Sequence, residues 1–344
     1  LKSVVIHAAK DLRIEERPEE EPGTGQVKIN IEAGGICGSD LHYYQHGGFG
    51  TIRVREPMIL GHEIAGRITE LGASVSHLKV GDKVAVSPSR PCSACDYCLK
   101  GQQNHCLNMR FYGSAMPMPH IQGGFRQSLV AEQWQCHKVE EHVSINEAAF
   151  AEPLAVVLHG LKRAGSLLGK RVLITGCGPI GMLCLLAARA HGATEIVVTD
   201  ILDEVLEKAL ELGADKAINV AKSMPDLAAY NPNKGYFDIM FEASGNEHAI
   251  RAGMEALKPR SVIVQLGLSG GEIAFPINMV VSKEVDIRGS FRFHEEFASA
   301  VHHINKRTIN VAPLLTGIYP IEKAIEAFEI AGDRSKAIKV QLSF

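Results

Sequence analysis

The sequence has no run of the roughly 20 apolar residues needed to cross a bilayer, so no membrane partner is expected. It has no strong excess of either charge. Against 36 Lys and Arg stand 39 Asp and Glu, a formal net charge of −3, so nothing in bulk electrostatics attracts nucleic acid or an anionic surface. There is no internal repeat and no low-complexity tract. The opening "LKSVVIHAAKDLRIEERPEEE" alternates and then turns acidic, which reads as a strand and a turn, not as a secretory signal. Without an export signal, the eight cysteines are expected to be reduced thiols or metal ligands in the cytoplasm, not disulfides.

What is present divides into two rhythms. The 344 residues are enough for two domains. Residues 1–150 read as short strands ("SVVIHA", "QVKINIEAG", "EIAGRITELG", "DKVAVS") broken by Gly- and Pro-rich turns. From 151 to 290, apolar strands such as "RVLITG", "EIVVTD" and "SVIVQLG" alternate with helices such as "PIGMLCLLAARAHG" and "LDEVLEKALELG". Strands of continuous apolar character alternating with helices predict an α/β domain, a doubly wound parallel sheet covered on both faces. Residues 291–344 end in "AIKVQLSF", a strand expected to return to the first domain. The expected plan is a β-rich domain built from both parts, 1–150 and 291–344, with the α/β domain inserted between them.

The inserted domain carries "VLITGCGPIG", which places Gly176, Gly178 and Gly181 in the G-x-G-x-x-G pattern, with Pro179 and Ile180 between the last two. In a dinucleotide fold the first glycine makes the tight turn, the second admits the pyrophosphate, and the third lets helix and strand pack closely. Asp200, 19 residues past Gly181, is placed after the next strand to accept hydrogen bonds from ribose hydroxyls. A carboxylate there repels a 2′-phosphate, and "DILDE" holds no adjacent Arg, so NAD is expected over NADP. The plainer reading is a packing turn, with Asp200 as a helix cap.

Four of the eight cysteines fall in "PCSACDYCLKGQQNHC", residues 91–106. Cys92, Cys95, Cys98 and Cys106 follow C-x2-C-x2-C-x7-C and offer four thiolates to a tetrahedral zinc. Four protein ligands leave no open position, so such a site holds shape and performs no chemistry. An iron–sulfur cluster and disulfides are the competing readings. A nucleic-acid-binding zinc ribbon would need a basic lobe, and this one has a single Lys and a single Asp. Cys136, Cys177 and Cys184 read as buried thiols.

A catalytic zinc needs three protein ligands and one open place. Cys37 in "GGICGSDLHYY", His62 and Glu63 in "LGHEIAG", and Glu152 in "AFAEPLAV" are the candidates. Taken singly each has a dull alternative: a small buried thiol, a satisfied core histidine, a cap or surface carboxylate.

Taken together, "GGICGSDLH", "LGHEIAG", "GDKVAV", the cysteine lobe, "EPLAV" and "GCGPIG" resemble the zinc-dependent medium-chain alcohol and polyol dehydrogenases along nearly the whole chain. The likeness is strongest to the sorbitol dehydrogenase branch and, within it, to the bacterial L-idonate 5-dehydrogenases, through "ICGSDLHYYQ", "RFYGSAM", "GYFDIMFEASG", "GSFRF" and "KVQLSF". The resemblance implies a GroES-like catalytic domain with a Rossmann domain, a homo-oligomer, and zinc-dependent hydride transfer from a secondary alcohol to the nicotinamide. It implies Cys37 and His62 as zinc ligands, Glu63 or Glu152 as the third, and Asp40 behind the ligand histidine. Ser39 and His42 are implied as the proton path out through the cofactor ribose; read without the family, His42 is an exposed strand-end histidine.

The same resemblance places Tyr43, Phe111 and Tyr112 in the substrate wall and Arg292 near the substrate, with Arg110 a second candidate cation. A sugar acid such as L-idonate, oxidised to 5-keto-D-gluconate, has a carboxylate that an arginine can hold with two parallel hydrogen bonds. A neutral polyol such as sorbitol or xylitol, the second reading, has none; L-threonine is the third. The rival from another class, a binding protein that kept the fold and lost activity, would lack Cys37, His62 or the carboxylates, and all are present.

Overall fold

A computed structural model describes residues 1–344. The chain divides into two units: Leu1–Ala155 with Phe293–Arg307 and Leu315–Phe344, and Val156–Arg292 with Thr308–Leu314. No helix is long and apolar enough to cross a membrane.

The first unit is built on the strand Gln26–Gly35. This strand pairs antiparallel with Glu63–Leu71, with Ser128–Glu132 and, at its far end, with Lys339–Ser343 from the end of the chain. Lys83–Val86 and Cys136–Lys138 extend the sheet on one side, Leu315–Pro320 on the other. Alternate residues Val27, Ile29 and Ile31 enter a core with Ile64, Ile68, Val84, Val86, Phe125, Val340 and Leu342. The period of two that makes strands of these segments is thus what gathers them around one interior.

The Gln26–Gly35 strand leads directly into the helix Gly38–His46. Cys37 is its N-cap, and the Asp40 carboxylate turns back to accept the Cys37 N–H at 3.0 Å. That reciprocal cap starts the helix at a fixed point.

The second unit is a six-stranded sheet, all parallel. Its spatial order is Lys216–Asn219, Glu195–Asp200, Arg171–Thr175, Phe237–Glu242, Leu257–Gln265, Asp286–Gly289. Val172, Leu173, Ile174, Ile196, Val197 and Val198 are all buried, as expected of strands covered on both faces. The strand order reverses between Arg171–Thr175 and Phe237–Glu242, and ligands of such sheets bind beyond the strand ends at that switch point.

Candidate active site and structural metal centre

The four cysteine sulfurs of the lobe lie within 4.8 Å of one another. A tetrahedron of ~2.3 Å zinc–sulfur bonds has edges of about 3.8 Å, so the set is grouped closely enough to hold one ion. The backbone already points at the sulfurs: Cys92 N–H donates to Cys106 Sγ at 3.1 Å, Cys95 N–H to Cys92 Sγ and Asn108 N–H to Cys106 Sγ, both at 3.3 Å. The N–H groups of Ala94 and then Cys95 lower the Cys92 thiol to about 6. Those of Cys98 and Leu107 lower Cys95. Burial, with Cys95 and Cys106 beside it, pushes Cys98 up to about 12, a proton a bound metal would displace. Cys136, Cys177 and Cys184 are buried and take part in no disulfide.

Cys37, His62 and Glu63 form a second group whose donor atoms also lie within 4.8 Å of one another. Cys37 comes from the N-cap of Gly38–His46, Glu63 is the first residue of its strand, and His62 precedes it. Behind His62 sits Asp40, fully buried, its Oδ1 accepting the Gly61 N–H at 3.2 Å and standing 3.8 Å from His62 Nδ1. His62 Nδ1 is buried with no hydrogen-bond partner. A buried orphan nitrogen facing a carboxylate fits a ring whose other nitrogen binds a metal. Burial raises the Asp40 pKa against the opposing pull of His62. Burial also raises the Cys37 thiol, and the Glu63 carboxylate adds to it.

Glu63 pairs with a residue that the sequence alone did not single out. Lys339 Nζ donates to both Glu63 oxygens, at 2.8 and 2.7 Å, and to the Ile36 carbonyl at 3.1 Å. Burial pulls the Lys339 ammonium down, but Glu63 and Cys37 outweigh it and its pKa is raised overall. The one sequence signal was a lysine inside the otherwise core-like strand "KVQLS". Gly35, directly across the sheet from Glu63, was also missed: a Cβ there would stand 2.1 Å from Glu63 Oε2.

Glu152 is buried at the start of the helix Ala151–Ala164 but is not part of the three-residue donor group. Burial raises its pKa to about 8; His62 lowers it, while the charges of Glu63 and Cys37 raise it. Ser39 is half-buried and His42 exposed, three residues apart on the helix Gly38–His46 and not at a strand end. Burial and then His46 lower the His42 pKa.

The residues assigned to the substrate wall differ in burial and in partners. Phe111 is buried with its ring 5.7 Å from that of His62. Tyr43 is buried with its hydroxyl accepting the Ala115 N–H at 3.1 Å. Tyr112 directs its hydroxyl to Gln135 Oε1 at 3.2 Å, a purely internal bond. Arg110 is exposed on the short strand Arg110–Phe111, opposite Arg90. Arg292 closes the main stretch of the second unit, its guanidinium 5.0 Å from the Phe291 ring centroid.

In the second unit Gly176 takes φ +90 in the turn after Arg171–Thr175, a value that L side chains rarely adopt. Gly178 caps the helix Pro179–Ala190 with open space where a Cβ would be, and a Cβ on Gly181 would meet the Gly176 carbonyl at 1.8 Å. Pro179 and Ile180 open that helix, whose N-terminus is the end that favours an anionic group. Asp200 ends its strand, with Oδ2 accepting the Cys177 N–H at 2.7 Å and Oδ1 that of Ile201 at 2.7 Å. The cap of the next helix is Leu202, so Asp200 is not its N-cap. This cradle fits a dinucleotide.

Residues 23–141 match the family description Alcohol dehydrogenase GroES-like domain, and residues 179–306 match Zinc-binding dehydrogenase. L-idonate 5-dehydrogenase (NAD(P)(+)) of Escherichia coli K12 is 41% identical across 99% of this chain and 98% of its own length. The chain belongs to the zinc-binding dehydrogenase family. The crystal structure of that Escherichia coli L-idonate 5-dehydrogenase superposes with a TM-score of 0.96, covering 100% of this zinc-binding dehydrogenase and 98% of the other chain. Sorbitol dehydrogenase of Gallus gallus is 38% identical over 99% of the chain and 95% of its own length. This zinc-binding dehydrogenase is therefore an oxidoreductase with the GroES-like and Rossmann-type fold of its relatives, using zinc and a nicotinamide dinucleotide.

Proposed function

We propose that the chain oxidises a secondary alcohol of a sugar acid, L-idonate to 5-keto-D-gluconate, with NAD as hydride acceptor. The observation that carries the chemistry is the donor group Cys37, His62 and Glu63. The observation that carries the substrate is the 41% identity to L-idonate 5-dehydrogenase across nearly the whole of both chains. The second reading, a sorbitol or xylitol dehydrogenase, is favoured by the 38% identity to sorbitol dehydrogenase and by the exposure of Arg110. Residues 1–150 and 291–344 act in this reading as the catalytic domain and 151–290 as the NAD domain.

When bound, zinc lowers the pKa of a hydroxyl it holds and the nicotinamide accepts a hydride. The chain's own part is to hold and to move protons. Cys37, the second nitrogen of His62 and Glu63 would bind the catalytic zinc, with Asp40 setting the His62 ring. Lys339 pairs with both Glu63 oxygens in the interior, where an unpaired carboxylate is costly. Glu152, raised to about 8, can hold or release a proton near neutral pH, which suits a carboxylate beside the reacting hydroxyl. Ser39 and His42 offer a step from half-buried to exposed along one helix, and a lowered pKa leaves His42 neutral to accept the proton. Tyr43, Phe111, Tyr112, Arg110 and Arg292 are assigned to substrate contact, Phe111 with the best supporting geometry and Tyr112 and Arg110 with the least. Cys92, Cys95, Cys98 and Cys106 hold a structural zinc, which suits a reducing cytoplasm. The unpaired edge strand Asp286–Gly289, with Ile277, Val281 and Ile287 exposed nearby in sequence, supports a homo-oligomer.

The test is NADH formation with L-idonate and with sorbitol offered separately, before and after chelation. Turnover of L-idonate that chelation abolishes is the expected result. Turnover of sorbitol alone moves the chain to the second reading.

A further inference from the structure

Glu242 has no part in the chemistry above, yet its carboxylate accepts hydrogen bonds from four residues, Thr175, Ser244, Gly245 and Gln265. It ends the strand Phe237–Glu242 and is 0% exposed. A carboxylate so placed must be surrounded by donors. Oε1 accepts from Thr175 Oγ1 at 3.2 Å, from Ser244 N–H at 2.9 Å, from Gly245 N–H at 3.1 Å and from the Ser244 hydroxyl. Oε2 accepts from Gly245 N–H at 3.0 Å and from the Gln265 amide. The backbone carbonyl of Glu242 accepts two more, from Leu266 N–H at 2.9 Å and Gly267 N–H at 2.8 Å.

These donors come from three different strand ends. Thr175 closes Arg171–Thr175 and precedes the Gly176 turn; Ser244 and Gly245 follow Phe237–Glu242; Gln265 closes Leu257–Gln265. The loops are packed to backbone contact. A Cβ on Gly176 would come 2.9 Å from the Ser244 nitrogen, and one on Gly267 would come 2.3 Å from the Gly245 nitrogen and 2.7 Å from Glu242 Oε2. The strand order reverses beside Arg171–Thr175, so the loops after Phe237–Glu242 and Leu257–Gln265 belong to the second mononucleotide half of the fold. Asp200 marks the other half for the adenosine ribose, which leaves the nicotinamide to these two loops.

We propose that Glu242 is a positioning residue for the nicotinamide: its buried carboxylate clamps the loops 243–245 and 266–267 to the pyrophosphate turn and so sets where the nicotinamide half of the cofactor rests. It touches no part of the cofactor. The inference rests on the dinucleotide reading of the Gly176–Gly181 turn.

The experiment compares NADH with ADP-ribose, which has the same adenosine and pyrophosphate but no nicotinamide. Glu242→Gln keeps the shape but sets an amide NH2 against N–H donors. Its dissociation constant for NADH, by calorimetry, is expected to rise about tenfold while that for ADP-ribose stays within a factor of two, the loss of a hydrogen bond or two. An equal change for both ligands, or none for either, overturns the proposal. If Glu242→Gln does not fold, the double variant Ser244→Ala, Gln265→Met removes donors and leaves the carboxylate, and the same ratio decides. Failure of the wild-type enzyme to bind ADP-ribose would instead overturn the dinucleotide reading, and the proposal with it.

Discussion

Lys339 and Glu63, 276 residues apart in sequence, form a bidentate ion pair whose side chains are each only 2% exposed. Removing the cation leaves a carboxylate in a dry interior with no countercharge. Lys339→Met is therefore expected to lower the stability of the zinc-free protein by ~3–5 kcal/mol, read by denaturant unfolding after chelation. Added zinc should recover part of that loss, since the metal supplies positive charge to the same carboxylate. The Lys339 pKa is raised above its usual 10.5, so its stabilising charge is fully present below that pH and is lost only in stronger alkali. A wild-type unfolding curve that Lys339→Met does not shift would refute this.

Glu152 shifts stability in the same direction but in a lower pH window. Its folded-state pKa of about 8 lies above the ordinary 4.5, so between those values the folded zinc-free chain keeps a proton that the unfolded chain has released. Stability must then fall as pH rises through that window. Glu152→Gln in chelated protein should flatten the slope and be the more stable form at pH 8 by ~1 kcal/mol or more, with no advantage below pH 4.5. Parallel stability–pH curves for the two proteins would remove Glu152 as a proton-holding group.

Gly35→Ala adds one methyl group, and it lands on Glu63 Oε2. The carboxylate must shift from its place beside Cys37 and His62. Zinc affinity at that site is expected to fall by ~10–100-fold, the range found when groups supporting metal ligands are disturbed. The lobe of Cys92, Cys95, Cys98 and Cys106 is built from separate residues and should keep its metal. Zinc analysis after mild chelation checks this: partial loss of metal with loss of turnover is expected, and full retention would contradict it.

Asp200 bears on the choice of dinucleotide. Its carboxylate repels a 2′-phosphate, and its Oδ2 also receives the Cys177 N–H in the glycine turn. Asp200→Asn removes the repulsion and weakens that bond. The expected result is poorer use of NAD together with a ratio of kcat/KM for NAD over NADP reduced by ~tenfold or more. An unchanged ratio would mean that the discrimination lies elsewhere.

The parts legible in the sequence were those whose partners lie close together along the chain. The four lobe cysteines sit in sixteen residues, and Gly176, Gly178 and Gly181 share one turn. For these, spacing already implies geometry. Lys339, Gly35 and Glu242 were not legible because each acquires meaning only from residues that other strands bring to it. A lysine in a C-terminal strand reads as surface until the sheet register sets it against Glu63. Arg110, named as a second candidate cation, and its neighbour Phe111 differ in a way only the strand shows: alternation turns Phe111 inward and leaves Arg110 exposed.

The return of Lys339–Ser343 to the side of Gln26–Gly35 also imposes an order in time. A ribosome adding ~5–20 residues per second finishes the first of these strands tens of seconds before it delivers the second. Cys37, His62 and Glu63 are all synthesised early and must wait for the lysine that settles Glu63. Most of the second unit is continuous and can fold during the delay. Nascent chains halted before 339 should accordingly protect the parallel sheet from protease first, with the sheet that carries Cys37 and Glu63 closing last.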